Sequence, residues 1–266
     1  MRIIAILAAY NEERFIEACL ENYARQGLEV YLIDNGSTDR TLEIAERHLG
    51  RTLVGIEEFP RGDVFDLRAI LERKEEVATE LDADWFLHAD PDEIRLPSRS
   101  AWTLAEELAE AEAAGYNAVN FFEFTFAPTC EAPDHDHPDF QRTMRWYYPF
   151  QPFSPHQLKA WKRQPEKVEL AWGGGHQVRF PGLSMCPRSC PMRHYLYLSA
   201  DHAVEKYVRR PFDPRAVARG WHGGRATLRA EEVELVSQSD LRPYVSDDLL
   251  DVSEPRTRHP LFAPKT

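Results

Sequence analysis

Three short polar segments carry the residues that can do chemistry. Asp90-Pro91-Asp92 follows the apolar stretch Trp85-Phe86-Leu87. Two carboxylates at i and i+2, just past a buried strand, can converge on a divalent cation through hard oxygen ligands. Mg²⁺ or Mn²⁺ suits such a pair and bridges to diphosphate oxygens rather than being caged by protein. The plain alternative is a turn whose Asp side chains bond their own backbone. Asp34 closes a second apolar run and opens Asp34-Asn35-Gly36-Ser37-Thr38-Asp39. An acid at a strand end accepts a hydrogen bond from a ribose hydroxyl or a base N–H, or else serves the turn. Asp39 is placed to cap the helix that follows. The third segment is Tyr10-Asn11-Glu12-Glu13.

The elements around these segments alternate. Ile3 to Ala9 is a continuous apolar run, as expected of a strand buried on both faces. Phe15, Ile16, Cys19, Leu20 and Tyr23 recur at helical spacing between Glu12 and Gln26, with Gly27 as the stop. Strands are expected at Val30–Ile33, Leu53–Ile56 and Asp84–His88, with helices from about Arg40 to Leu49 and Val64 to Leu81. Repeated strand–helix–strand units imply right-handed crossovers and a parallel sheet. Its carboxyl edge should hold the ligand, and all three polar segments fall there. Farther on, the pattern predicts a helix over Trp102–Ala114 and a strand over Ala118–Phe126. A long structured loop over Pro128–Pro155, strand-like pieces within 168–180 and 183–197, a short helix over Asp201–Arg210 and a helix over Ala230–Gln238 follow.

Taken in order, Ala8-Ala9-Tyr10-Asn11-Glu12-Glu13, Asp34 to Thr41 and Trp85 to Ile94 resemble family-two glycosyltransferases with the GT-A fold. The resemblance is strong over about residues 1 to 95. It implies an α/β fold with a Rossmann-like, mostly parallel central sheet flanked by helices, plus an irregular acceptor-side region. It also implies a nucleotide-diphosphate-sugar donor, a divalent cation (Mn²⁺ or Mg²⁺) and usually inversion at the anomeric carbon. By position, Ala9, Tyr10 and Glu12 would line the base pocket and Asp34 would bind base or ribose. Asp90 and Asp92 would serve the ribose side and the metal. Gly174-Gly175-His176 and Arg193-His194-Tyr195 resemble a less studied branch of the same superfamily, which makes His194 a candidate third metal ligand. The Glu-Asp pair that many members use as catalytic acid is not found. The expected layout is one GT-A-like domain over 1–210, with a nucleotide-sugar half (1–125) and an acceptor half (126–210). Residues 211–266 form an extension packing on it.

Breaking a sugar–phosphate bond leaves charge on the departing diphosphate, which a metal and a nearby Arg or Lys stabilise. Arg68, on the helix before the metal strand, is a candidate for the phosphates; a solvated helix face is its alternative. The acceptor hydroxyl must lose a proton. Glu123, among Phe121, Phe122, Phe124 and Phe126, is the first candidate base, with His176, Asp136 and Asp139 behind it. Cys186, Cys190, His194 and His176 offer an alternative soft set for zinc, and His135 and His137 another metal pair. Two further classes compete: an inactive carbohydrate-binding GT-A relative using Trp146, Tyr147, Tyr148, Trp161 and Trp172 as stacking faces, and a sugar nucleotidyltransferase. The acidic Tyr10-Asn11-Glu12-Glu13 disfavours the latter, which usually needs a basic, Gly-rich loop after the first strand.

Composition narrows the classes. The 266 residues carry 32 Lys+Arg against 44 Asp+Glu, net −12, which argues against nucleic acid as a partner. No apolar run approaches the ~20 residues of a membrane span. Four cysteines in a chain of this size suit a reducing cytoplasm rather than a disulfide scaffold. The acceptor is open among carbohydrate, lipid carrier and protein, and an oligomer is compatible with the sequence.

Overall fold

The computed structural model describes residues 1–263. In chain order the elements are β1 (Ile3–Ala9), α1 (Ile16–Arg25), β2 (Glu29–Asp34), α2 (Thr41–Glu46), β3 (Leu53–Glu58), α3 (Leu67–Glu80), β4 (Trp85–Ala89), β5 (Glu93–Arg95), α4 (Leu104–Ala113) and β6 (Ala118–Phe126). There follow α5 (Phe140–Thr143), β7 (Trp146–Phe150), β8 (Gln157–Lys162), β9 (Cys190–Tyr195), α6 (Ala200–Ala203), α7 (Pro214–Ala218) and β10 (Arg242–Pro243). The chain divides into two compact units: residues 1–61, 68–122 and 155–192, and residues 62–67, 123–154 and 193–266.

The first unit holds a mixed, largely parallel central sheet flanked by α-helices, consistent with a Rossmann-like GT-A fold. β1 pairs in parallel with β2 and β4, and β2 in parallel with β3. β8 runs antiparallel to β4 and to the start of β6. Alternation along β1 sends Ile3, Ala5, Leu7 and Ala9 into a core with Ile16, Leu20 and Tyr23 of α1 and Leu104 and Leu108 of α4. The other face of β4 carries Phe86 and His88, and Lys74 of α3 reaches His88 there. With strands continuously apolar and helices on both faces, the sheet is buried as parallel sheets must be. Helix α4 opens with a capping box, Thr103 and Glu106 each satisfying the other's backbone N–H.

In the second unit β6, from Glu123 onward, pairs antiparallel with β7, and β7 with β10. Phe126 stacks on Tyr147, with ring centroids 5.6 Å apart, and Tyr195 lies 5.1 Å from Phe126 and 4.9 Å from Phe140.

Several expectations need correction. Helix α1 begins only at Ile16, because Asn11 adopts φ 53° and residues 12 to 15 turn before the helix. The loop expected over 128–155 contains β7. The helix expected over Ala230–Gln238 is a single 3₁₀ turn, Ala230–Glu232, followed by extended chain. There Val233 and Leu235 pack on Leu196 and Tyr207, and Val236 bridges to Thr129. Alternating apolar residues outweighed the helix-forming Ala and Glu. The short helix over 201–210 is α6 followed by a π turn, Val204–Val208.

Candidate active site

Because β1 to β4 are parallel, their carboxyl ends share one edge of the sheet, and the three polar segments meet there. The turn after β1 and the turn after β2 are tied together. Asn11 Oδ1 accepts from Thr38 N at 2.7 Å, Glu12 N donates to Thr41 Oγ1 at 2.8 Å, and Glu13 N donates to Asp39 Oδ2 at 3.1 Å. Asp39 also accepts from Thr41 N at 2.9 Å, so it does serve the start of α2.

Asp34 is buried, and Oδ2 accepts from both Gly36 N and Ser37 N at 3.0 Å. Among the described residues its Oδ1 is buried with no hydrogen-bond partner. A buried carboxylate oxygen left unpaired costs about 1–3 kcal/mol, and a donor from a water, an ion or a ligand would satisfy it. Gly36 has φ +76°, and a Cβ there would lie 3.3 Å from Arg61 Cβ. Arg61 itself sits 3.6 Å over the Tyr10 ring and donates to Asn35 Oδ1 at 3.2 Å. Sequence reasoning missed Arg61. Its signal was position, since Phe59-Pro60-Arg61 leaves β3 at the same edge.

Asp90 lies among nitrogens. Lys159 Nζ is 3.4 Å from Oδ2, Lys74 Nζ 3.7 Å from Oδ1, and His88 Nε2 3.8 Å from Oδ2. Desolvation opposes the Asp90 charge, but the neighbouring Lys159 and Lys74 ammonium groups outweigh it and hold the carboxyl well below its ordinary range. Lys74 is buried, donating to Ala89 O at 2.7 Å and contacting His88 Nδ1 at 2.9 Å. Burial brings its pKa down to about 8. Burial, then Lys74, keeps His88 well below its usual value and neutral. Lys159 Nζ also reaches Glu93 Oε1 at 2.8 Å, and Glu93 is closely paired with the fully buried Arg95. Asp92 is buried. Sequence reasoning missed Lys74 too; its signal was that it shares the inward face of α3 with Ile70, Leu71, Val77 and Ala78.

Asp90 and Asp92 carry hard carboxylate oxygens, the donor type that Mg²⁺ and Mn²⁺ take. Among the described residues no group of three or more His, Cys, Asp or Glu gathers into a metal site. The expected Asp90–Asp92–His194 shell is therefore not such a cluster, nor is the Cys186–Cys190 zinc set. Cys186 and Cys190 are free and buried, and burial pushes the Cys190 thiol up, away from the thiolate that zinc needs.

The remaining candidates are scattered. Arg68 pairs with Glu72 at 2.7 Å on an exposed helix face. His176 stacks on His156 with centroids 4.7 Å apart. The preceding Gly175, at φ +83°, lets the turn approach His88. His135 contacts Thr143 Oγ1 at 2.9 Å. Of the aromatic faces, Tyr147, Tyr148 and Trp161 fill core, while Trp172 is 47% exposed. In the second unit, Glu123 Oε1 accepts from His194 Nδ1 at 2.7 Å and from Thr125 Oγ1 at 2.9 Å.

Residues 4–61, from β1 through the turn after β3, match the family model of glycosyl transferase family 2. No curated protein matches the chain. Among solved structures, the chain is similar to Staphylococcus aureus TarS 1-349, at 13% identity and TM-score 0.46, covering 73% of this chain and 60% of that one. The same protein in complex with UDP-GlcNAc gives 13% identity and TM-score 0.44, over 73% and 58%. Glucosyl-3-phosphoglycerate synthase from Mycobacterium tuberculosis, solved with Mn²⁺, UDP and phosphoglyceric acid, gives 20% identity and TM-score 0.31, over 46% and 43%. The chain thus spans 60% or less of the length of these three structures. Among the described residues, no helix is long and apolar enough to cross a membrane.

Proposed function

We propose that this protein is a glycosyltransferase that moves a sugar from a nucleotide-diphosphate-sugar to a hydroxyl acceptor, with inversion. The observation that carries the reading is Asp34, whose Oδ2 is spent on the turn while Oδ1 stays buried with no partner among the described residues. A hydrogen-bond donor on a base or ribose satisfies that oxygen. Tyr10 under Arg61 supplies a flat, cationic neighbour at the same sheet edge. Asp90 and Asp92 would hold a divalent cation, which when bound neutralises charge on the diphosphate. Lys74 and Lys159 keep Asp90 ionised and fixed, so the carboxylate is preorganised. The family-two match over residues 4–61 covers the segment that carries Tyr10, Asp34 and Arg61. With four free thiols, the reducing cytoplasm is the compartment we propose.

Isothermal calorimetry with UDP, GDP, ADP and CDP, each with and without Mn²⁺, tests the donor reading. One nucleotide should bind, more tightly with Mn²⁺, and raise the melting temperature by mass action. Absence of binding by all four at millimolar concentration would sink the proposal.

A further inference from the structure

We infer that the second unit carries a docking surface for an anionic lipid bilayer, built where the arginine-rich segment 206–229 folds around His222. This surface stands independently of the transferase reading.

Charge comes first. Positions 206 to 229 hold seven Lys or Arg against one acid, Asp213, in a chain of net −12. Crowding like charge costs the fold, so a run this basic in an acidic protein points to a partner of opposite sign.

The fold gathers these charges rather than dispersing them. Residues 62–67 are stitched to the chain at 211–213: Phe65 N donates to Pro211 O at 2.7 Å, and Asp213 N to Phe65 O at 3.3 Å. His222 packs on both rings of that junction, with centroids 4.6 Å from Phe212 and 5.6 Å from Phe65. Arg210 lies 5.0 Å over Phe65, and Arg225 lies 5.4 Å over Tyr207 and 5.1 Å over Phe262. Burial, and then Arg225 and Arg210, hold His222 down to about 4, so both cations act on one ring.

Helix α7 adds the exposed part. Asp213 caps it by accepting from Arg215 N at 2.9 Å, Pro214 takes the first turn, and Ala216 is buried. Arg215, Val217, Ala218 and Arg219 are left exposed. Arg215 and Arg219 stand four apart, on one side of the turn, where like charges repel. Some of the charge is matched within the unit: Arg215 pairs with Asp213 at 3.0 Å and Asp66 at 3.3 Å, and Arg229 with Glu232 at 2.7 Å. Arg209 and Arg219 are exposed and make no ion pair among the described residues.

The mixture of side chains selects the partner. A polynucleotide is held by cations and needs no apolar group between them. Here Val217 is 36% exposed between Arg215 and Arg219, and half-buried Trp221 follows. Apolar groups set among arginines suit the boundary between lipid headgroups and acyl chains. The apolar side chains enter it while the guanidinium groups rise to the phosphates, which they pair with as planar forks.

Cosedimentation of the full chain with vesicles tests this. Phosphatidylcholine vesicles with about a third phosphatidylglycerol should carry the protein down at ~0.05 M NaCl and release it at ~0.5 M, as salt screens the surface. Vesicles of phosphatidylcholine alone should carry none. Arg209→Gln and Arg219→Gln should each lower partition about fivefold, and together about 25-fold. Their urea midpoints should match wild type, since neither side chain holds an ion pair among the described residues. Arg51→Gln removes the same charge from an exposed site of the first unit and should leave partition within about twofold. Equal sedimentation with both vesicle types, none with either, or undiminished partition of the double variant overturns the inference. Release by soluble glycerol 3-phosphate matched to the headgroup concentration overturns it too, because that marks a pocket for one phosphate. Binding of a labelled oligonucleotide in place of vesicles would likewise refute it.

Discussion

Replacing Asp34 by Asn separates a residue kept for the turn from one kept for a ligand. In Asp34→Asn the amide oxygen can still accept from Gly36 N and Ser37 N, now at 3.0 Å each in the native turn, though without full charge. That loss costs roughly 0.5–1 kcal/mol of folding stability. It is offset in part, because an oxygen that is buried and orphaned in the free protein is replaced. Binding responds differently. The amide turns an N–H toward the place where Oδ1 accepts from the ligand, so a charge-assisted bond becomes a donor facing a donor. Losing a hydrogen bond to a charged group is worth about 1.5–3 kcal/mol, or roughly 10- to 150-fold in Kd. Calorimetry with the preferred nucleoside diphosphate measures the affinity, and urea denaturation measures the fold. The expected result is a large loss of affinity with a stability change under about 1 kcal/mol. A Kd within about threefold of wild type, in a folded protein, would show that Oδ1 meets no ligand.

Other perturbations probe the parts around it. Lys159→Met removes a shared partner of Asp90 and Glu93 and should cost about 3 kcal/mol in urea denaturation, since a buried carboxylate loses its cation; a loss below about 1 kcal/mol would mean that Arg95 and Lys74 suffice. Gly175→Ala puts a methyl 2.9 Å from His88 Nε2 and Leu71 Cδ2 at a φ of +83°. It should lower stability by about 2–4 kcal/mol and weaken nucleotide binding by disturbing the contact behind Asp90. His222 is held down to about 4, first by burial and then by Arg225 and Arg210. Its unfolded form takes a proton near pH 6.5 while the folded form resists, so the stability it contributes is full above about 6.5 and is lost as pH falls toward 4. The loss should be about 1–2 kcal/mol given its partial exposure, and His222→Asn should flatten that part of the stability profile. Asp92→Asn should abolish any gain in nucleotide affinity on adding Mn²⁺; an undiminished gain would move the cation elsewhere.

The sequence by itself determined the parallel half of the sheet and the edge at which the three polar segments gather. Runs such as Ile3–Ala9 and Trp85–Leu87 are apolar throughout, and only a strand covered on both faces needs that. Asp34, Asp90 and Asp92 were legible for the same local reason, since each stands where a buried run stops. What surrounds them was decided by tertiary structure. β8 reads as Gln157-Leu158-Lys159-Ala160-Trp161-Lys162, too polar for a central strand until Lys159 finds Asp90 and Glu93 some 66 to 69 positions earlier. Glu123 and His194 lie 71 positions apart, and neither segment alone says that they meet. Arg61 meets Tyr10 only when the ends of β1 and β3 lie at one edge. Periodicity reports which faces are apolar, because that depends on neighbours three or four residues away. A buried charge depends on a partner that folding brings from far along the chain, and its type and distance leave no local trace.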